Sequence, residues 1–265
     1  MLDTEAFDRA LEEDADDAAT LLMMMAQATD EELRAKARAL ASSVVLDLAR
    51  RGQPRQTGVG RLRRQPAERG GDLDIDASME ALVEGRAAGR PPQDLISADW
   101  SRPALALCLL IDTSGSMEGS RLATAALTAA ACALRAPGDH AVVTFSRHAE
   151  VLRPMDSTST PESVVDRILS LRGHGVTSVR AALEAAGAQL ARTRAQRRVA
   201  VLLSDCRSTD DQDPTAVAGA LEELVILAPA EDHEQAEALA RSAGARWVPL
   251  AGAAEAPSAL RHLLT

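Results

Sequence analysis

Two continuous aliphatic runs constrain the fold of this chain more than any other feature, because an acidic side chain lies within two residues of the end of each run. Residues 105–111 lead into Asp112, and residues 199–203 lead through one serine to Asp205. Uninterrupted aliphatic runs of this length are typical of strands that are buried on both faces of a parallel sheet. If the two strands are parallel, both acids lie at the carboxyl edge of one sheet, where open α/β folds place their ligands.

After residue 103 the chain alternates aliphatic strands with Ala-rich or capped helical segments, which indicates a mainly parallel sheet covered by helices on both faces. Residues 140–146 and 149–155 are also predicted to be strands, but the turn between them is too short for a crossover helix. We therefore predict an α/β fold, Rossmann-like and doubly wound. Its sheet is mainly parallel with one antiparallel edge strand, and a small helical N-terminal region precedes it.

Composition divides the chain into four parts. Residues 1–49 predict two amphipathic helices, residues 50–71 a basic flexible linker, residues 72–102 a short helical connector, and residues 103–265 the α/β domain. The sequence leaves open whether the N-terminal helices fold back on the α/β domain or reach a partner. It also leaves open whether the Arg-rich segment is a solvated tether or an electrostatic docking arm for an acidic partner.

Charge and composition exclude several classes of protein. The formal net charge of −10 argues against a nucleic-acid binder, which needs a basic surface to neutralise phosphates. The sequence contains no apolar stretch of about 18 residues, and its N-terminus is acidic where a secretory signal is basic. We expect a cytoplasmic protein with no membrane segment. The cysteines, Cys108, Cys132 and Cys206, lack the paired spacing of a zinc site or a disulfide framework.

Five oxygen-bearing side chains are spaced so that one metal ion could bridge three segments. Asp112, Ser114 and Ser116 lie on the turn after the first run, Thr177 lies in a glycine-bracketed loop, and Asp205 follows the second run. Carboxylate and hydroxyl oxygens suit a hard divalent cation. A simpler alternative is that the first three residues only cap the next helix, which leaves Thr177 and Asp205 unexplained.

The same residues resemble a known family. An Asp-x-Ser-x-Ser motif at residues 112–116, followed by Thr177 and then Asp205, resembles the metal-ion-dependent adhesion site of von Willebrand factor A (vWA) domains. The resemblance covers residues 103–265 and includes the order of the elements and the antiparallel edge strand. Because three separate segments match in the same order, the signal is more specific than an isolated Asp-x-Ser-x-Ser.

This resemblance implies a bound Mg²⁺, or Mn²⁺, held by Ser114, Ser116 and Thr177. Asp112 and Asp205 would contribute directly or through water, and an open coordination position would accept an Asp or Glu of a protein partner. Mg²⁺ prefers six oxygen ligands and keeps waters that it can exchange, which agrees with this implication.

Residues beside the implied ligands are candidates for partner contact: Met117, Glu118, His174 and Cys206. Cys206 departs from the family pattern, because many members have glycine at this place, so its turn could differ. His174 could sense pH or touch the partner, or it could simply face solvent.

Within the family, the chain resembles the bacterial intracellular branch, which comprises proteins that accompany MoxR-type AAA+ ATPases and the magnesium-chelatase D subunit. This implies a Mg²⁺-dependent adaptor that couples a MoxR-type ATPase to a client protein. The alternative is a chelatase-like accessory subunit for ATP-driven metal insertion. Since the chain has no Gly-x-x-x-x-Gly-Lys-Ser/Thr loop, ATP hydrolysis would belong to the partner.

Catalysis is a further alternative. A metal-dependent phosphotransferase could use Asp112 as its nucleophile, but such enzymes typically need a second acid two residues later, where this chain has Ser114. A serine hydrolase is not supported either, because the sequence lacks a nucleophile elbow. We therefore expect a binding protein and not an enzyme.

Overall fold

The computed structural model describes residues 14–26, 31–51, 61–69, 72–101, 104–114, 119–173 and 175–265. These residues form two compact units. The larger unit combines the described residues of Met1–Arg55 with Leu105–Thr265, and the smaller unit contains the described residues of Gln56–Ala104.

In chain order, the described strands are β1 (Arg61–Pro66), β2 (Asp72–Leu73), β3 (Ile96–Ser101), β4 (Leu105–Asp112), β5 (His140–Phe145), β6 (Ala149–Arg153), β7 (Arg197–Leu203), β8 (Leu224–Pro229) and β9 (Arg246–Leu250). The described α-helices are α1 (Ala15–Ala26), α2 (Glu31–Arg51), α3 (Ile75–Ala88), α4 (Gly119–Arg135), α5 (Pro161–Leu169), α6 (Val179–Leu190), α7 (Thr215–Ala220), α8 (Glu234–Ala243) and α9 (Ala256–Leu264). Two 3₁₀ turns complete the description, Ala67–Arg69 and Ala253–Glu255.

The larger unit is built on a six-stranded sheet in the order β6-β5-β4-β7-β8-β9. Neighbouring strands are parallel except for β5 and β6, which pair antiparallel at one edge. This arrangement confirms the predicted α/β fold, including the antiparallel edge strand. From β4 the chain adds β5 and β6 on one side of the sheet, and it then adds β7, β8 and β9 on the other side. The direction in which strands are added therefore reverses between β4 and β7. Folds of this kind bind ligands at such a point.

Side chains of β4 alternate between two apolar cores, one on each face of the sheet. Leu107, Leu109 and Ile111 belong to the core that includes α4, α5 and α9. Ala106, Cys108 and Leu110 belong to the core that includes α6, α7 and α8. Each large aliphatic side chain buried in this way contributes about 1.5–3 kcal/mol to stability.

The N-terminal helices α1 and α2 fold back on the larger unit, which answers the question that the sequence left open. Their apolar side chains, including Ala19 and Val45, belong to the same core as α4 and α5. The Ser42 hydroxyl also donates a hydrogen bond to the Asp166 carboxylate of α5.

A carboxylate of α1 is bound by the turn that precedes α9. Asp16 Oδ1 accepts a hydrogen bond of 2.7 Å from the backbone N–H of Ala254. A Cβ at Gly252 would collide with the same carboxylate, and a Cβ at Gly119 would lie 3.3 Å from a methyl carbon of Thr20. Helix α1 therefore packs closely against both the start of α4 and the turn before α9.

The smaller unit differs from the sequence prediction. Residues 61–69, which lie within the predicted flexible linker, form β1 and a 3₁₀ turn, and β1 and β2 both pair antiparallel with β3. The predicted connector at 72–102 therefore contributes strands as well as α3. The composition of this segment did not indicate a sheet, because the arginines of β1 interrupt the alternation of apolar and polar residues by which a strand is recognised. The strands pair through backbone hydrogen bonds, which leave no such pattern. The rest of the predicted linker, at residues 52–60, lies outside the described residues.

None of the described helices combines the length and the apolar character needed to cross a bilayer.

Replacing Asp16 with alanine should lower the free energy of unfolding by about 1–2 kcal/mol, because the Ala254 N–H loses a charged acceptor. Gly252→Ala should also destabilise the protein, since the new methyl group collides with the Asp16 carboxylate. Its cost should shrink when Asp16 is already alanine. Chemical denaturation of the two single variants and the double variant measures this coupling.

Asp17→Ala is the matched control, because Asp17 is an exposed acid on the same helical turn. If Asp17→Ala costs as much as Asp16→Ala, or if the two costs at Asp16 and Gly252 simply add, the close packing of α1 on this turn is contradicted.

His140 gives the fold a dependence on pH. The side chain is buried, its Nδ1 lies 3.1 Å from the carbonyl oxygen of Ala136, and Nε2 has no protein partner among the described residues. Burial, together with the nearby Arg153 guanidinium, lowers the pKa of His140 from 6.5 to about 4. The unfolded chain therefore takes up this proton before the folded protein does, and the free energy of unfolding decreases as pH falls from 6.5 towards 4.

His140→Asn should remove this component, because asparagine can still donate to the Ala136 carbonyl and does not titrate. Urea unfolding between pH 7.5 and 4 should show a steeper loss of stability in the wild type, with an excess slope approaching roughly 1.4 kcal/mol per pH unit. Parallel curves for the two proteins would show that His140 is not the titrating group.

Candidate metal centre

Asp112 ends the central strand β4 with both of its carboxylate oxygens held by the protein. Oδ1 accepts a hydrogen bond of 2.9 Å from the backbone N–H of Ser114, and Oδ2 accepts one of 2.6 Å from the Ser204 hydroxyl. Ser204 directly follows β7, which pairs with β4 along its length. The second bond therefore joins the ends of two parallel strands at the point where the strand order reverses.

The turn after β7 is fixed by the same serine. Ser204 Oγ accepts a hydrogen bond of 2.9 Å from the backbone N–H of Cys206, while Asp205 Oδ1 accepts one of 2.9 Å from the N–H of Arg207. Cys206 has a φ of 62°, in the left-handed region that favours glycine. The backbone thus adopts at a cysteine the conformation that glycine adopts most easily.

Thr177 is brought to this turn by backbone and hydroxyl hydrogen bonds. Its N–H donates to Thr209 Oγ1 at 2.8 Å, and its carbonyl accepts from the Thr209 N–H at 2.9 Å. Ser178, the next residue along the chain, donates its N–H to the carbonyl of Ser146, which follows β5. The loop that carries Thr177 is therefore held between the ends of β5 and β7.

Asp112 and Asp205 line one cavity of about 660 Å³ at the carboxyl edge of the sheet. The ends of β4, β7, β8 and β9 and the first turns of α4 form its walls. The charged side chains of the lining are Arg121 and Arg207 together with the acids Asp112, Asp205, Glu231 and Asp232, and Arg207 pairs with Asp232 at 2.7 Å. Gly252, which packs against Asp16 of α1, also lines this cavity.

Burial controls the thiol of Cys206. Desolvation raises its pKa well above the usual range, and the carboxylates of Asp205 and Asp112 raise it further. A thiol is also a soft ligand, which suits an oxygen-seeking ion such as Mg²⁺ poorly. The Cys206 side chain instead belongs to the apolar core beneath α7 and α8.

Of the predicted site residues, Asp112 and Asp205 line one cavity, Ser114 donates its N–H to Asp112, and Thr177 is hydrogen-bonded to Thr209 in the segment after β7. Cys206, predicted as a partner contact, is buried. The remaining predicted residues lie outside the described part of the chain and are Ser116, Met117, Glu118 and His174.

Comparison with known sequences identifies the family. The family described as VWA domain containing CoxE-like protein matches residues 48–258. This chain belongs to that family. CoxE-like vWA proteins are associated with MoxR-type AAA+ ATPases. None of the curated protein sequences matches this chain.

Several solved structures are similar to this chain in fold. An aerotolerance-related membrane protein from Bacteroides fragilis, carrying multiple mutations to serine, is 16% identical with a TM-score of 0.50, over 61% of this chain and 98% of that chain. BatB from Bacteroides thetaiotaomicron is 15% identical with a TM-score of 0.50, over 61% and 97% of the two chains. A von Willebrand factor type A protein from Catenulispora acidiphila is 18% identical with a TM-score of 0.49, over 63% and 43%.

Domains of the vWA family commonly bind a divalent metal, and the donors in this chain fit one. Each Asp112 oxygen holds one hydrogen bond, which leaves each a further lone pair for a metal or a metal-bound water. Within the described residues, the hydroxyls of Ser114 and Thr177 make no hydrogen bond, so their oxygens are available as ligands. Carboxylate and hydroxyl oxygens together form a hard donor set that suits Mg²⁺ or Mn²⁺.

Sequence reasoning missed two residues that organise this vWA site. Ser204 orients Asp112 and the turn after β7, and Thr209 holds both backbone groups of Thr177. Ser204 had a usable signal, because a hydroxyl directly after a buried strand lies at the same sheet edge as the acids. Thr209 had none, since its role depends on a loop conformation that no local pattern specifies.

The Cys206→Gly variant should be more stable than the Cys206→Ala variant. At ordinary positions the order is the reverse. Both substitutions remove the buried thiol, so their difference isolates the left-handed backbone, which costs a residue with a side chain about 1–2 kcal/mol. Glycine also loses more chain entropy on folding, which offsets part of this difference. The free energy of unfolding of Cys206→Gly should therefore exceed that of Cys206→Ala by roughly 0.5–1 kcal/mol. Denaturant unfolding in EDTA gives both values, and a more stable alanine variant would argue against the left-handed turn.

Proposed function

We propose that this CoxE-like vWA protein is a Mg²⁺-dependent binding module that couples a MoxR-type AAA+ ATPase to a client protein. The observation that carries the proposal is the fixed pair of strand ends, in which the Ser204 hydroxyl holds Asp112 while Asp205 lines the same cavity. The order of oxygen donors along the chain and the association of the family with MoxR-type ATPases support it further.

The chain's own residues would bind and orient the ion. Asp112 and Asp205 provide negative charge, Ser114 and Thr177 provide neutral oxygens, and Ser204 keeps the Asp112 carboxylate in one orientation. A bound Mg²⁺ would supply a positively charged centre with an exchangeable coordination position. A carboxylate from the partner is the ligand that this position would favour, because neutral hydroxyls leave the ion incompletely neutralised.

The cavity beside the acids provides space for residues that flank the partner's carboxylate. The exposed side chain of Arg121, on the first turns of α4, lines the cavity and makes no ion pair with any described residue. This guanidinium could pair with one acidic side chain beside the partner's carboxylate.

Two further properties of the protein are proposed with this function. We propose a cytoplasmic location and a role without catalysis of its own. No specific contact in the described structure favours the chelatase-like alternative or the phosphotransferase over the adaptor.

Asp112→Ala should reduce Mn²⁺ affinity at least tenfold, because the carboxylate at the centre of the site is removed. Ser204→Ala should reduce it about tenfold by releasing that carboxylate, as residues that orient metal ligands typically cost 10–100-fold. Ser204→Thr keeps the hydroxyl and should retain most of the affinity. Electron paramagnetic resonance of free Mn²⁺ during titration measures these affinities.

Asp156→Ala is the matched control, since Asp156 is an exposed carboxylate bound to Arg192 at 2.6 Å. Capture of the MoxR-type ATPase from the same organism should require Mg²⁺, survive Asp156→Ala and fail in EDTA or with Asp112→Ala. Unchanged Mn²⁺ binding by Asp112→Ala would refute the metal site. Loss of Mn²⁺ binding with unchanged capture of the ATPase would refute metal-dependent coupling.

A further inference from the structure

Helix α3 of the smaller unit is attached at its first turn. Asp74 caps its first turn by accepting a hydrogen bond of 3.0 Å from the Ala77 N–H, and it pairs with Arg64 at 2.8 Å. The buried Ser78 hydroxyl donates to the carbonyl of Ile96 and accepts from its N–H. These bonds hold the first turn of α3 against β3.

An apolar row runs along α3 and is exposed. Ile75 is 59% exposed, Met79 49% and Val83 58%, and their spacing of four residues places them on one stripe of the helix. Leu73, which is 44% exposed, lies on β2 just before the helix begins. Single exposed apolar residues are common, but a continuous stripe is typical of a surface that binds another molecule.

An acidic row lies next to the apolar row. Asp76, Glu80 and Glu84 are exposed and follow the same four-residue spacing, one position later along the helix. Asp76 lies near the helix N-terminus, where the helix dipole stabilises a negative charge. Glu80 and Glu84 extend the negative charge towards the C-terminal end, where the dipole disfavours it. Like charges four residues apart also destabilise a helix. The acidic row therefore opposes the stability of the helix that carries it.

We propose that this face of α3 binds a basic amphipathic helix of another protein. Apolar side chains of that helix would cover Ile75, Met79 and Val83, and its Lys or Arg residues would pair with Glu80 and Glu84. Such a helix in contact with an apolar stripe is a common mode of peptide recognition. Charge complementarity specifies the occupant, because an uncharged or acidic helix would leave the acidic row unpaired or repelled.

Symmetric pairing of two α3 faces is disfavoured. The chain carries a net charge of −10, and pairing two α3 faces would bring the two acidic rows together. The proposed surface also lies in the unit that contains neither Asp112 nor Asp205. Binding at α3 is therefore expected to be independent of divalent metal, which separates this proposal from the metal site.

The probe is a synthetic 16-residue peptide with leucines on one helical stripe and lysines beside it, titrated by fluorescence anisotropy into the full chain in EDTA. We expect Val83→Ser to weaken binding about tenfold, since one buried valine contributes roughly 1.5 kcal/mol. Glu80→Gln combined with Glu84→Gln should weaken it at least fivefold at low salt, with a smaller effect at high salt. Glu68→Gln removes an exposed acid elsewhere in the same unit and should leave binding unchanged.

A scrambled peptide of the same composition tests whether charge alone explains binding, and equal affinity for it would overturn the proposal. Accessibility is measured separately with Val83→Cys, because the native cysteines are all buried and the new thiol would react alone. Slow labelling in the free protein would show that the chain covers α3 itself. Concentration-dependent dimerisation that Val83→Ser abolishes would show that a second copy occupies the face. Either result would overturn the proposal.

Discussion

The burial of β4 on both faces is the constraint on which the larger unit depends. With Leu107 and Leu109 in one core and Cys108 and Leu110 in the other, the strand has no face left for a polar side chain. Polar chemistry can therefore begin only where the strand ends. Because β7 runs parallel beside it under the same constraint, the first polar residues of both strands meet at one edge of the sheet. The position of the candidate metal centre is thus a consequence of how the core is built.

Much of this architecture could be predicted because its signals are local and strong. Continuous aliphatic runs indicated the buried strands, and the short turn between β5 and β6 predicted their antiparallel pairing, which the structure confirms. The smaller sheet could not be predicted in this way. Arg64 in β1 pairs with Asp74, and β1 is joined to β3 through its backbone, so the contacts that hold this strand leave no apolar period in the sequence.

The candidate site shows the same division between local and non-local information. The acids and hydroxyls were recognisable because each follows a strand or lies in a glycine-bracketed loop. The contacts that orient them were not, since Ser204 reaches Asp112 across 92 positions of sequence and Thr209 reaches Thr177 across 32. Likewise, no local pattern indicates that Asp16 of α1 packs on the turn beside the cavity. Sequence therefore gives the donors of such a site more readily than the residues that hold them.

The two proposed surfaces prefer ligands of opposite charge. A site built from Asp112, Asp205 and a divalent ion favours an incoming carboxylate, whereas the acidic row on α3 repels one and favours Lys or Arg. A partner segment suited to one surface is consequently disfavoured at the other, so the two do not compete for the same ligand. One metal-dependent contact and one metal-independent contact would allow a single chain to hold two different segments at once. An adaptor between an ATPase and its client requires this kind of selectivity.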